Sequence, residues 1–273
     1  MKPKVWITGA GSGIGKALAL EYAQFGYDVA LSGRRLERLQ EVAEELKELG
    51  AEGLILQCDV SIEDQIAQSI QKIEEHWGEL DIVIANAGFA LGGRIEQLDT
   101  KDWNRQLGVN VIGLAQTVRY ALPLLQKNKG RIALISSAMA YVRVQKSGAY
   151  AASKAAVTAI GETLCYELLG TGVSCTTIHP GFVDSEISMV STQGHFDAQA
   201  KDRRSDIVKK LSWTGADAAR KMRKVIHSRK QSYTLTGHAK LVVFLACYAP
   251  KISFFFRSRS KKKRTIKIFQ TPK

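Results

Sequence analysis

The chain has 273 residues, 45% of them hydrophobic and 24% charged, which suits one sizeable core with a tail. Its formal charge of +13 is uneven: residues 218–273 hold 16 Lys or Arg and no Asp or Glu, leaving −3 on the first 217, so the basicity says nothing against a conventional enzyme core. Cys58, Cys165, Cys175 and Cys247 show no CxxC spacing, and no apolar run precedes the first glycines. These features argue against a disulfide framework, a cysteine metal site and a secretory signal, and for free thiols in the cytoplasm.

Val5, Trp6 and Ile7 read as a short buried strand. Residues 8–15 then form a glycine-dense turn that opens a helix carrying Leu18 and Leu20. Glycine at Gly9, Gly13 and Gly15 lets the backbone turn sharply, approach a phosphate closely and pack helix against strand, with the helix N-terminus aimed at the anion. A glycine pattern gains its weight from this strand-before, helix-after setting.

Strand-like and helix-like stretches then alternate. A strand over 28–32 precedes a helix over 36–49, where Leu36, Leu39, Val42, Ala43, Leu46 and Leu49 recur at helical spacing. A strand over 54–58 precedes a helix with the buried stripe Ile66, Ile70, Ile73 and Trp77. A nearly all-apolar strand over 80–85 leads to a helix over about 103–125, capped by Asp99 or Thr100. Strands over 131–136 and 173–179 enclose a helix over about 150–169, and 231–235 is the last strand. Continuous apolar strands between amphipathic helices predict a parallel sheet covered on both faces, a doubly wound three-layer α/β architecture. Residues 185–212 are polar and irregular, long enough to form a flap.

In such a sheet ligands gather beyond the C-terminal strand ends. The second strand ends at Gly33, Arg34 and Arg35; arginine here suits the 2′-phosphate of NADP, although the pair can also simply begin a solvated helix face. The third ends at Asp59 and Val60, an adenine contact, and the fourth at Asn86, Ala87 and Gly88. The fifth ends at Ser136 and Ser137, and the following helix carries Tyr150 and Lys154 one turn apart on one face.

TGAGSGIG from Thr8, DV at Asp59, NAG at Asn86, the asparagine of VNVIG at Asn110, Ser137, YAASK from Tyr150 and PG at Pro180 stand in the order and approximate spacing of one family. Over residues 4 to about 237 the chain resembles the short-chain dehydrogenase/reductases. The resemblance implies a Rossmann-type seven-stranded parallel sheet and an Asn-Ser-Tyr-Lys tetrad, here Asn110, Ser137, Tyr150 and Lys154. Ser137 rather than Ser136 matches, because it lies 13 residues before the tyrosine. Thr8, Ser12, Ile14, Pro180, Gly181, Val183 and Ser185 join the cofactor contacts. The chain departs in having Ala85 before Asn86, where a second asparagine is frequent, and Ser185 in place of a threonine.

The implied activity is hydride transfer between a nicotinamide, with NADP(H) preferred, and a carbonyl or secondary alcohol. A phenol near its ordinary ~10 is poorly matched to neutral pH, so Lys154 is expected to lower the Tyr150 pKa and to hold ribose. Ser137 is expected to hold the substrate oxygen and Asn110 to support a relay water. Pairing into a homodimer or homotetramer through the helices near Trp103 and Tyr150 is implied too.

His179, beside Pro180, reads as structural, and the other histidines show no ligand spacing, so no metal is expected. Beyond Gly237 the pattern stops: residues 241–249 are apolar, 254–256 are three phenylalanines and 257–264 read RSRSKKKR. The apolar run is far short of the roughly 20 residues that span a bilayer. It suits an anionic membrane surface and, with it, a lipophilic substrate. Two competing readings are a cover for the core or a subunit partner, and a solvated end. Nucleic-acid binding is disfavoured, since no separate folded module accompanies the basic run. A catalytically silent NADP-binding scaffold, tethered by the tail, is the alternative function.

Overall fold

The structure is a computed structural model and describes residues 2–184, 206–251 and 255. The chain lays down β1 (Lys4–Thr8), α1 (Gly13–Gln24), β2 (Asp28–Gly33), α2 (Leu36–Glu48), β3 (Gly53–Gln57), α3 (Glu63–Trp77) and β4 (Ile82–Ala85). Then follow α4 (Thr100–Leu107), α5 (Leu114–Lys127), β5 (Arg131–Ile135), α6 (Gly148–Glu167), β6 (Ser174–His179), α7 (Asp206–Leu211), α8 (Gly215–His227), β7 (Ser232–Thr234) and α9 (Gly237–Tyr248). The seven strands form one parallel sheet in the order β3-β2-β1-β4-β5-β6-β7. This is the expected doubly wound fold, a single domain.

Every residue of β1 and of β4 is buried, the reason these strands are apolar without alternation. Neighbouring side chains nevertheless serve different layers. Val5 and Ile7 pack with Leu18 and Tyr22 of α1, Leu39 and Val42 of α2 and Met222 of α8. Trp6, between them, packs with Ile66 and Ile73 of α3, Leu114 and Leu124 of α5 and Val157 of α6. The period of two along a strand thus divides the core into two halves.

Two buried ion pairs tie the edges of this arrangement. Lys4 Nζ lies 2.7 Å from Asp28 Oδ2, locking β1 to β2, and Arg223 Nε lies 2.8 Å from Glu21 Oε1, locking α8 to α1.

The expected long helix over about 103–125 is instead two helices joined by a π-helical stretch, Gly108–Gly113. Asp99 caps α4 by accepting from the Asp102 N–H at 2.9 Å. At the far end of the stretch a side chain on Gly113 would collide with the Val60 carbonyl. The helix therefore passes close under the β3–α3 corner, and its widened turn carries Asn110. Strand β4 starts at Ile82, two residues later than expected. Just before it, the Asp81 carboxylate accepts the Lys4 N–H at 2.7 Å.

Candidate active site

The strand order reverses between β1 and β4, and a cleft of about 500 Å³ opens beyond their C-terminal ends. Its floor is the glycine turn. Gly9 and Gly13 adopt φ values of 67° and 53°, left-handed conformations that side chains resist. Gly15 leaves no room for a Cβ, which would overlap the Gly9 carbonyl. Thr8 stands behind the turn, its Oγ1 accepting the N–H groups of Asn86 and Ala87 at 3.0 and 3.1 Å. The Asn86 amide donates back to the Thr8 carbonyl at 2.9 Å. These bonds hold the ends of β1 and β4 in one piece.

Helix α1 points its N-terminus into the cleft. No acidic residue lies in its first turn and no side chain caps it, so its first N–H groups are available to an anion. Ser12 and Ile14 line the cleft beside it. This cradle, closed to side chains and open to a phosphate, fits a dinucleotide.

At the β2 end, Arg34 and Arg35 both line the cleft. Arg35 donates to Ser12 Oγ at 3.0 Å, and Arg34 lies 3.8 Å from Asp59 Oδ2. A third arginine, Arg105 of α4, joins this end with its guanidinium 5.0 Å from the Phe89 ring centroid. Neither Arg105 nor the lining residues Cys58, Phe89 and Val109 were identified from sequence. Their approach depends on where α4 crosses the strand ends, and no local motif signals it. Val60, Gly88, Pro180, Gly181 and Val183 line the cleft as expected. Ser185 and the first part of the expected flap, 185–205, lie outside the described residues.

At the other end, β5 and α6 bring Ser137, Tyr150 and Lys154 together on the cleft wall. The paired serines separate in role. Ser136 Oγ donates to the Lys154 carbonyl at 2.9 Å and contacts Thr158 Oγ1 at 3.1 Å, a brace between strand and helix. Ser137 caps the following short turn, accepting from the Met139 N–H at 3.1 Å, and hydrogen-bonds Tyr150.

Burial raises the Tyr150 pKa above its ordinary value, and the hydrogen bond with Ser137 opposes that rise. The lysine itself is 4% exposed, and burial pulls it down to about 8. Its Nζ donates to the Ile135 carbonyl at 2.8 Å and stands 5.8 Å from the Tyr150 ring centroid. At neutral pH the lysine is thus still charged in the main, and the phenol is a proton donor.

Asn110 is fully buried behind this wall. Its Nδ2 donates to Phe89 O and Ser153 Oγ, both at 3.0 Å, and its Oδ1 accepts the Phe89 N–H at 3.1 Å. Both amide protons are committed to protein, so Asn110 braces the π-helical stretch against the 88–89 turn and α6. His179 is buried too, with Nε2 3.1 Å from Ser232 Oγ and its ring against Tyr141, a structural setting.

The short chain dehydrogenase family model matches residues 3–195. An uncharacterized oxidoreductase of Staphylococcus epidermidis is 33% identical over 183 residues, 67% of this chain and 78% of that protein. An 11-beta-hydroxysteroid dehydrogenase A of Sesamum indicum is 36% identical over 194 residues, 70% of this chain and 54% of that protein. Among solved structures, a short chain dehydrogenase/reductase of Burkholderia phymatum in complex with NAD aligns with a TM-score of 0.81 at 26% identity, covering 92% of this chain and 95% of its own. An alcohol dehydrogenase of Thermococcus sibiricus complexed with 5-hydroxy-NADP aligns at 0.74 and 27% identity, covering 86% and 96%.

Proposed function

Since the chain belongs to the short chain dehydrogenase family and is an oxidoreductase of CH–OH and C=O groups using a nicotinamide dinucleotide, we propose that it is an NADP(H)-preferring reductase of lipophilic carbonyls. The observation that carries the chemistry is the convergence of Ser137, Tyr150 and Lys154 on one wall of the cleft.

The bound dinucleotide supplies hydride to the carbonyl carbon. Ser137 holds the substrate oxygen within reach of the Tyr150 phenol, and Tyr150 delivers the proton to that oxygen as charge develops. Burial keeps the phenol protonated at neutral pH, the form that reduction of a carbonyl requires. Lys154 holds the ribose hydroxyls and favours the phenolate that remains after transfer. Asn110 is a positioning residue, acting through the fold of the 88–89 turn. Thr8, Gly9, Gly13 and Gly15 shape the phosphate cradle, with Asp59, Val60 and Asn86–Gly88 along the dinucleotide.

NADP preference is supported by the basic end of the cleft, which Arg34, Arg35 and Arg105 line beside Asp59. A neutral ribose 2′-hydroxyl gains less from such a cluster than a 2′-phosphate does. A lipophilic substrate is supported by the steroid-dehydrogenase relative. Exposed Ile112 and Tyr166 support a homodimer or homotetramer paired through the helices around α4 and α6.

The test is cofactor consumption across a panel of hydrophobic and polar carbonyls, with NADPH and NADH in parallel. NADPH turnover that falls by about 10²-fold or more in Tyr150→Phe, with binding retained, is expected. Full turnover by that variant overturns the mechanism, and Arg34→Ala leaving NADPH and NADH affinities unchanged overturns the cofactor preference. Dinucleotide binding with no turnover on any carbonyl favours the silent scaffold.

A further inference from the structure

The reaction leaves one conspicuous surface unused, the outer face of α9 with the edge of the sheet beside it. The first turn of α9 is well anchored. Ala239 is buried, and Gly181 has no room for a side chain against Thr236, His238 and Ala239. The Phe182 N–H donates to His238 Nε2 at 3.3 Å, and the two rings stack at 5.1 Å.

Beyond that turn no residue of α9 is fully buried while the apolar sequence continues, and one face of it stays exposed. Leu241, Phe244 and Tyr248 follow at helical spacing on one face and are 61%, 57% and 78% exposed. The Phe244 and Tyr248 rings pack on each other at 4.9 Å. Single exposed apolar residues are ordinary, but a continuous ridge of large ones marks a contact surface.

The ridge is flanked by charge of one sign. Three lysines converge on Tyr233 of the edge strand β7, Lys240 at 4.8 Å and Lys221 and Lys230 each at 5.6 Å from its ring centroid. Lys240 belongs to α9 itself and donates to the Tyr233 hydroxyl at 3.3 Å. The sequence supplies no Asp or Glu after Asp217 and nine further Lys or Arg after Tyr248.

We propose that α9 is an interfacial helix that docks the protein on an anionic lipid bilayer, Leu241, Phe244 and Tyr248 entering the headgroup boundary and Lys221, Lys230 and Lys240 meeting lipid phosphates. An apolar helix face bordered by lysines matches the chemistry of that boundary. A second copy is a poorer occupant, because an isologous contact through this face sets two lysine clusters against each other. Helix α9 sits on the Pro180–Val183 edge of the cleft, so docking turns the cleft mouth toward the lipid. Docking itself stands apart from the chemistry; delivery of a lipophilic substrate from the bilayer rests on the function proposed above.

The experiment is co-sedimentation of the full chain with phosphatidylcholine vesicles, with and without phosphatidylserine, at low and raised salt. It uses the wild type, Leu241→Ser/Phe244→Ser and Lys221→Glu/Lys230→Glu, with circular dichroism and light scattering as controls on fold and mass. The wild type is expected to sediment with phosphatidylserine vesicles and to be released by salt. Each lysine removed is expected to lower partitioning about fivefold, and the apolar double variant to abolish it with fold and mass unchanged. Equal sedimentation with both vesicle types, sedimentation unchanged in the variants, or a lower mass for the apolar variant, which would make this face an interface between copies, overturns the proposal.

Discussion

Asn110 donates to the Ser153 hydroxyl at 3.0 Å, and that hydroxyl donates in turn to the Tyr150 carbonyl at 2.7 Å. Two residues, neither lining the cleft, thereby connect the π-helical stretch to the helix turn that presents Tyr150. Replacement of Asn110 by leucine strands the Phe89 N–H in the core and leaves the Ser153 hydroxyl with its bond to the Tyr150 carbonyl alone. The expected cost is about 2–3 kcal/mol of stability, measured by urea unfolding, with turnover at least about tenfold lower because the Tyr150 wall shifts. Ser153→Ala, which leaves both bonds from Asn110 to Phe89, is expected to lose less on both counts.

Lys154 carries a charge into a site with no carboxylate partner among the described residues, and burial pulls it from 10.5 to about 8. Between those values the unfolded chain keeps a proton that the folded protein has released, so stability rises with pH across that window. Lys154→Met removes the buried charge at the expense of an unpaired Ile135 carbonyl. The net expectation is about 2 kcal/mol of added stability at pH 7, no pH dependence from this site, and loss of turnover. Denaturant unfolding from pH 7 to pH 10, beside NADPH consumption, measures all three.

His179 shows the same sign on the acid side. Burial lowers it from 6.5 to about 4, so it is held neutral in the fold while the unfolded chain takes up a proton. Stability is therefore lost as pH falls from 6.5 to 4, by about 3 kcal/mol at the lower end. His179→Asn is expected to be less stable at pH 7 and to show a flatter profile through that window, readable from thermal unfolding in a pH series.

The glycines divide by the space around them. A Cβ on Gly15 overlaps the Gly9 carbonyl and crowds the Asn86 amide, whereas one on Gly108 meets nothing within 4 Å in a right-handed helical conformation. Gly15→Ala is expected to cost about 1–3 kcal/mol and to abolish NADPH binding followed by fluorescence. Gly108→Ala is expected to add about 0.5–1 kcal/mol and leave binding intact. Equal behaviour of the two would remove the steric account of the cradle.

Much of the fold and of the site was legible before any coordinates. Val5–Ile7, the run to Ala85 and the stripes Leu39–Val42–Leu46 and Ile66–Ile73 declare buried strands and one-sided helices, because burial on two faces or one leaves a period in the sequence. Gly9, Gly13 and Gly15 and the Tyr150–Lys154 pair were legible for the same reason: their function depends on local backbone geometry and helical spacing. Hidden from that reading were the π-helical stretch at Asn110, the arrival of Arg105 at the basic end of the cleft and the brace that Ser136 makes to Lys154 and Thr158. Each depends on which distant element a side chain meets.

The sequence by itself determined the alternation of strand and helix, the glycine turn after β1 and the placing of Tyr150 and Lys154 one turn apart, since all of these are written in neighbours a few positions apart. Only the tertiary structure decided what those residues experience. Burial by β5 and α6 raises the phenol and lowers the lysine, and partial packing of α9 on one side only leaves the ridge of Leu241, Phe244 and Tyr248 facing outward. Desolvation and exposure are set by the summed surroundings in space, and no short stretch of chain contains them.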